Sequence, residues 1–167
     1  MPETAEQYQS RLASYVQGKD PIAMQREAIQ ALKDLIAGLS ETQLHQKPAS
    51  DKWSVTEIIA HLAEDELTST WRYRQMIEYD GPSLPGFDQD LWSRLGDYSR
   101  WSTQEALEMF RLLREANQRM FARLTPEQWK RNGVHAERGP MTVESLCRHM
   151  AAHDRNHIEQ IRRILGR

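Results

Sequence analysis

Three histidines at four-residue spacing, His149, His153 and His157, stand near the end of the 167-residue chain. Residues i and i+4 of a helix share a face, so two imidazoles spaced this way can hold one ion between them. All three cannot do so together. At about 100° per residue, His149 and His157 diverge by about 80° and stand about 12 Å apart along the axis. The apolar stripe of the segment makes the choice: Val143, Leu146, Cys147, Met150, Ile161, Ile164 and Leu165 define its inward face. Measured from Met150 on a helical wheel, His157 falls near about −20°, His153 near about −60° and His149 near about −100°. His153 and His157 are therefore the expected metal pair, with His149 at the edge of the stripe.

A third ligand is expected in His61, which flanks the apolar face made by Val55, Ile58, Leu62 and Met76 of an earlier segment. Asp65, one turn later, falls directly on that face beside Ser69. A carboxylate on an inward stripe is costly unless it is paired or coordinates something. Asp65 is thus open to a fourth ligand or a group orienting a ligand on one side, and to a helix salt bridge or a surface group on the other. It is also the candidate catalytic residue, since Asp65 or Glu64 could serve as a base beside a bound nucleophile. Three protein ligands and an open position characterise catalytic sites, whereas structural zinc is closed by four. Such a site acidifies water or a thiol at neutral pH, which suits hydrolysis or S-transfer.

Other reactive side chains carry less. His45 and His135 are expected to be exposed, His135 within the 133–139 loop. The single cysteine, Cys147, lies on the inward stripe and reads as core, since nothing near it in sequence would lower its pKa. Trp53 is expected at a bundle end, Trp71 outside the main stripe, and Trp92 and Trp101 in or beside an insertion. Packing or an interface is their ordinary role, with pocket lining as the alternative. Arg72, Arg148 and Arg155 suit either an anionic substrate or solvated helix faces. No Ser-His-Asp pattern, Walker loop or dinucleotide fingerprint competes.

The elements that must position these residues read as helices, because β-branched alternation is scarce and gives strands little support. A short helix spans Ala5–Val16 and ends at Gly18. A longer one runs over about Pro21–Leu39, with Asp20 as N-cap and Pro21 in its first turn. The next starts at Ser54, whose partner Glu57 completes a capping box, and reaches about Tyr79 before Gly81-Pro82. Residues 81–101 form a loop or broken-helix insertion, long for a bundle connection. A helix over about Thr103–Leu124 is capped by Ser102 and Glu105. A connection over 125–140 holds one helical turn at Pro126–Trp129, and a last helix runs from about Thr142 to Leu165. One all-α domain over residues 1–167, with four principal helices in a bundle, is the economical reading.

Bulk properties narrow the setting. Lys and Arg number 22 against 24 Asp and Glu, so the formal charge is −2. That balance leaves no electrostatic footprint for nucleic acid or an anionic membrane. One cysteine excludes an internal disulfide framework, and no signal-peptide pattern opens the chain, so a reducing cytoplasmic setting is expected.

Two stretches carry a family resemblance. DKWSVTEIIAHLAEDE (51–66) joins a Trp-Ser helix start to His-Leu-Ala and acidic residues. ERGPMTVESLCRHMAAHDRNHIEQI (137–161) sets a Gly and Thr helix start before His-x-x-x-His and an isoleucine-rich end. Both resemble the motifs of the DinB/YfiT-like metal-binding bundles, in the expected order, and the resemblance covers most of residues 20–167. It implies that His61, His153 and His157 are the metal triad, while His149 occupies no ligand position. It also implies an up-down-down-up four-helix bundle, with the short N-terminal helix as an addition. One divalent transition metal, zinc or nickel, with water completing the shell, and a homodimer are implied as well. Some members use low-molecular-weight thiols in S-transfer or isomerisation, so the expected partner is a small molecule, with such a thiol as cosubstrate. A non-catalytic metal-binding, ligand-binding or interaction bundle is the alternative.

Overall fold

Helix starts in this chain are written locally, as Ser or Thr followed three residues later by a group that reaches back. The computed structural model, which describes residues 4–167, shows these pairs closed into capping boxes. Its elements are α1 (Ala5–Val16), α2 (Pro21–Ile36), α3 (Glu41–Leu44), α4 (Val55–Glu78), β1 (Ser83–Leu84) and α5 (Gln89–Leu95). A 3₁₀ turn at Tyr98–Arg100 follows, then α6 (Thr103–Phe121), α7 (Pro126–Trp129), β2 (Asn132–His135), β3 (Gly139–Thr142) and α8 (Val143–Leu165). Helix α2 stops short of the expected Leu39, because Ala37 leaves the helical region and Gly38 takes φ +77°.

The four long helices α2, α4, α6 and α8 make the bundle. Both α2 and α4 pack on α6 and on α8, so these two successive long helices occupy opposite corners. Their directions follow from paired contacts. Gln25 meets Cys147 near the start of α2 and α8, and Arg167 reaches the Leu35 carbonyl near their ends, so α2 and α8 run parallel. Thr56 bonds Thr103 and Thr70 bonds Asn117, so α4 and α6 are parallel too. Ser69 against Met150 and His61 against His153 make α4 and α8 antiparallel. The order is up-down-down-up, as the resemblance implies.

Helical periodicity explains what fills the middle. Ile58, Ile59 and Leu62 of α4 meet Leu32 of α2, Leu107 and Phe110 of α6, and Ile161 of α8, all almost wholly buried. Each such aliphatic side chain contributes about 1.5–3 kcal/mol on burial. A second cluster, around Tyr73, Met76, Leu84, Phe121, Leu146 and Met150, closes the opposite end. Helix α1 lies on α8, where Leu12 and Val16 meet Ala151 and Ala152. None of the described helices is long and apolar enough to cross a membrane.

Three features depart from the expectation. A three-stranded sheet, in the order β1-β2-β3, joins the 81–101 insertion to the connection before α8. Strand β2 pairs parallel with β1 and antiparallel with β3. Strands of two to four residues are too short for a period-two pattern to register. His135, expected to be exposed, is only 3% exposed. The register of β2 turns Val134 outward and Gly133 and His135 inward, and His135 Nδ1 accepts from the Glu137 amide at 3.2 Å. Finally, the segment after α2 holds a further helical turn, α3, which Ser40 and Gln43 cap reciprocally.

Candidate metal centre

Antiparallel packing of α4 on α8 sets His61 opposite the His153–His157 turn. All three imidazoles are buried, and a ligand nitrogen from each lies within 4.8 Å of the other two. His153 Nε2 is 3.3 Å from His61 Nε2 and 3.1 Å from His157 Nε2. Three nitrogens bound to one ion at about 2.0–2.1 Å in a tetrahedral shell sit about 3.3 Å apart, so the observed spacing suits a shared ion. His149 does not join them, and lies half-buried one turn earlier on α8.

Proton placement supports the same fit. His157 Nδ1 is 2.8 Å from Gln160 Oε1, which can only accept through that atom, so Nδ1 carries the hydrogen and Nε2 the lone pair. Burial holds all three histidines neutral: His61 is lowered to about 3, His157 to about 4, and His153 falls well below its ordinary value. His157 thus turns an Nε2 lone pair toward His153 Nε2, in a cluster of neutral imidazoles whose nitrogens can serve one cation. The donor set therefore fits a divalent metal.

Asp65 lies behind His153, on the side away from the ligand cluster. It contributes no atom to the ligand cluster, and its Oδ2 lies 3.3 Å from His153 Nδ1, off the line of a hydrogen bond but at ion-pair distance. It is placed to orient His153 from behind, in the manner of carboxylate–histidine–metal arrangements. Burial raises its carboxyl to about 6, although Arg72 and Arg138 pull the other way. Glu64 points elsewhere and accepts from the Tyr98 hydroxyl at 2.5 Å, which ties the 81–101 insertion to α4.

Several residues beside the centre escape sequence reasoning. Trp53 takes the pocket-lining alternative offered for the tryptophans, with its ring 5.0 Å from that of His61. Gln160 could have been found as a polar residue one turn beyond His157. His153 and His157 line a cavity of about 400 Å³ together with Tyr8 of α1, Trp53, Asn156 and Gln160 and the polar side chains of Asp51, Lys52, Gln89 and Asp90. Arg72, which sequence left on a solvated face or in an anion site, is 3% exposed and donates to the Pro85 carbonyl at 2.6 Å. Its guanidinium also lies over the Phe87 ring. Arg148 and Arg155 stay on the outer face of α8, beside Glu144 and Glu159. Cys147 is core as expected, and burial pushes its thiol up to about 12.

Comparison with known proteins places this geometry in a wider group. YfiT of Bacillus subtilis is 23% identical over 163 residues, spanning 96% of this chain and 92% of its own. A relative from Oceanobacillus iheyensis is 24% identical over 135 residues, 81% of this chain and 78% of its own. Both carry names that give metal-dependent hydrolase as a provisional activity. The solved structure of YfiT, described as a four-helix bundle of unusual topology, superposes with a TM-score of 0.79 at 22% identity. The match covers 98% of this chain and 90% of that one. A family model described as the DinB superfamily matches residues 25–161, a span that includes all three histidines. The chain belongs to the DinB superfamily.

Proposed function

We propose that this protein is a metal-dependent enzyme acting on a small polar molecule, by hydrolysis or by transfer to a low-molecular-weight thiol. The observation that carries this reading is a cluster of three imidazole nitrogens beside a cavity. The three nitrogens converge within 4.8 Å, and two of the residues that supply them, His153 and His157, also line the cavity of about 400 Å³. A divalent ion such as zinc or nickel held there supplies a Lewis acid that makes water or a thiol nucleophilic near neutral pH.

The chain's own residues do the remainder. Gln160 holds the hydrogen of His157 on Nδ1, and Asp65 backs His153, so both rings present Nε2 to one point. Trp53 packs its ring 5.0 Å from that of His61 and also lines the cavity. The cavity lining sets Lys52 against Asp51 and adds Gln89 and Asn156, which offers a bound polar molecule both donors and acceptors. The hydrolase names of the relatives favour the first chemistry, and the motif resemblance favours the second.

Titration of the Co²⁺-loaded protein with a small thiol such as 2-mercaptoethanol tests the open position. A thiolate-to-cobalt charge-transfer band that grows with thiol is expected. A cobalt spectrum indifferent to thiol, azide and imidazole alike would show a filled coordination shell and sink the catalytic reading.

A further inference from the structure

Beside the metal centre, the bundle buries an ion cluster that contributes no atom to the three-histidine group. Arg114 of α6 is fully buried, and Glu66 of α4 and Asp154 of α8 are almost so. Arg114 Nε donates to Glu66 Oε1 at 3.0 Å and Nη2 to Glu66 Oε2 at 2.8 Å, a two-pronged grip. Asp154 is gripped likewise, through Nη1 at 2.6 Å and Nη2 at 3.2 Å. A fifth bond runs from Nη1 to the Gln25 carbonyl of α2 at 2.9 Å. Every N–H of the guanidinium is thereby used, and its planar fork touches all four bundle helices. Asn117 adds a 2.7 Å bond to Glu66, and the Phe110 ring lies 4.7 Å from the guanidinium carbon.

We propose that Arg114 is a positioning residue for the metal centre, fixing the axial register of α4 against α8 and hence His61 against His153 and His157. This rests on reading the three histidines as ligands. Asp154 directly follows His153, and Glu66 lies little more than one turn beyond His61. A slip of one residue between the helices moves an imidazole by about 1.5 Å. A metal–nitrogen bond tolerates only a few tenths of an ångström about 2.0–2.1 Å, so such a slip opens the site. Apolar contacts between helices are graded and permit small slides, whereas five directional bonds to one rigid plane do not. Stability alone is a poor explanation of the cluster. It sets two buried carboxylates against one cation, and buried ion networks often add less stability than apolar packing of the same volume.

The test is Co²⁺ titration of the full-length wild type, Arg114→Lys and Glu66→Gln, at a temperature where circular dichroism shows each metal-free protein fully folded. Lysine keeps the cation and loses the fork. Glutamine keeps the shape and leaves Arg114 paired with Asp154, so it decides the matter if the lysine variant does not fold. Both variants are expected to bind Co²⁺ about tenfold or more weakly, as groups that orient ligands commonly do on substitution. The cobalt spectrum is expected to show a distorted ligand field. Wild-type affinity and spectrum in a folded variant that has lost only stability would overturn the proposal. A wild type that takes up no Co²⁺ would overturn the metal reading itself, and this inference with it.

Discussion

Arg114→Met is expected to destabilise the metal-free protein by about 3–5 kcal/mol, the range for breaking a buried ion pair by removing one partner. The side chains of Glu66 and Asp154 are only 1% and 3% exposed, so neither gains water when the guanidinium goes. Even beside Arg114, burial outweighs the pull of its charge and raises the Asp154 carboxyl to about 6. Without Arg114, two carboxylates face each other across a dry site. Urea unfolding followed by circular dichroism reads the loss. Adding Glu66→Gln and Asp154→Asn to Arg114→Met removes both orphaned charges and should restore most of the lost stability. If Arg114→Met alone unfolds at the wild-type urea midpoint, the cluster is not the closed ionic network described here.

Asp65→Asn is expected to weaken binding of a divalent ion by about 10–100-fold, with the metal-free protein as stable as the wild type or more so. The two effects separate because Asp65 is buried at a cost. Its carboxyl is raised to about 6, so near neutral pH the folded state carries a charge that burial disfavours. The neutral amide removes that cost, and with it the negative charge 3.3 Å from His153 Nδ1. Calorimetric titration with zinc, paired with thermal unfolding of the metal-free protein, reads both quantities. Unchanged affinity would leave Asp65 as a structural acid with no influence on the centre.

Local signals made the long helices legible. Ser54 with Glu57 and Ser102 with Glu105 mark helix starts within four residues, and the capping boxes stand where the pattern put them. The apolar stripe of α8, from Val143 to Met150 and again from Ile161, points His153 and His157 inward and leaves His149 at its edge, and the structure brings those two to His61. Motif resemblance, not periodicity, supplied the helix directions. Contacts between distant segments were not legible. Arg114, Glu66 and Asp154 are charged residues on three separate helices, and each alone reads as solvated. Arg72 misled for the same reason, since its partner is a carbonyl of the 81–101 insertion. His135 was misplaced because a four-residue strand, with Gly133 as its other inward position, offers no apolar alternation. Trp53 and Tyr8 reach the cavity by tertiary packing alone, whereas Gln160 follows His157 by one turn and was open to discovery.

Metal content of the untagged protein, purified without chelators and measured by mass spectrometry beside a His153→Ala/His157→Ala variant, decides whether the three histidines hold an ion. About one divalent transition-metal ion is expected per wild-type chain, and none in a variant that keeps its helical content. A wild type that emerges without metal and takes up neither zinc nor nickel would contradict that expectation, as would a variant that retains the ion.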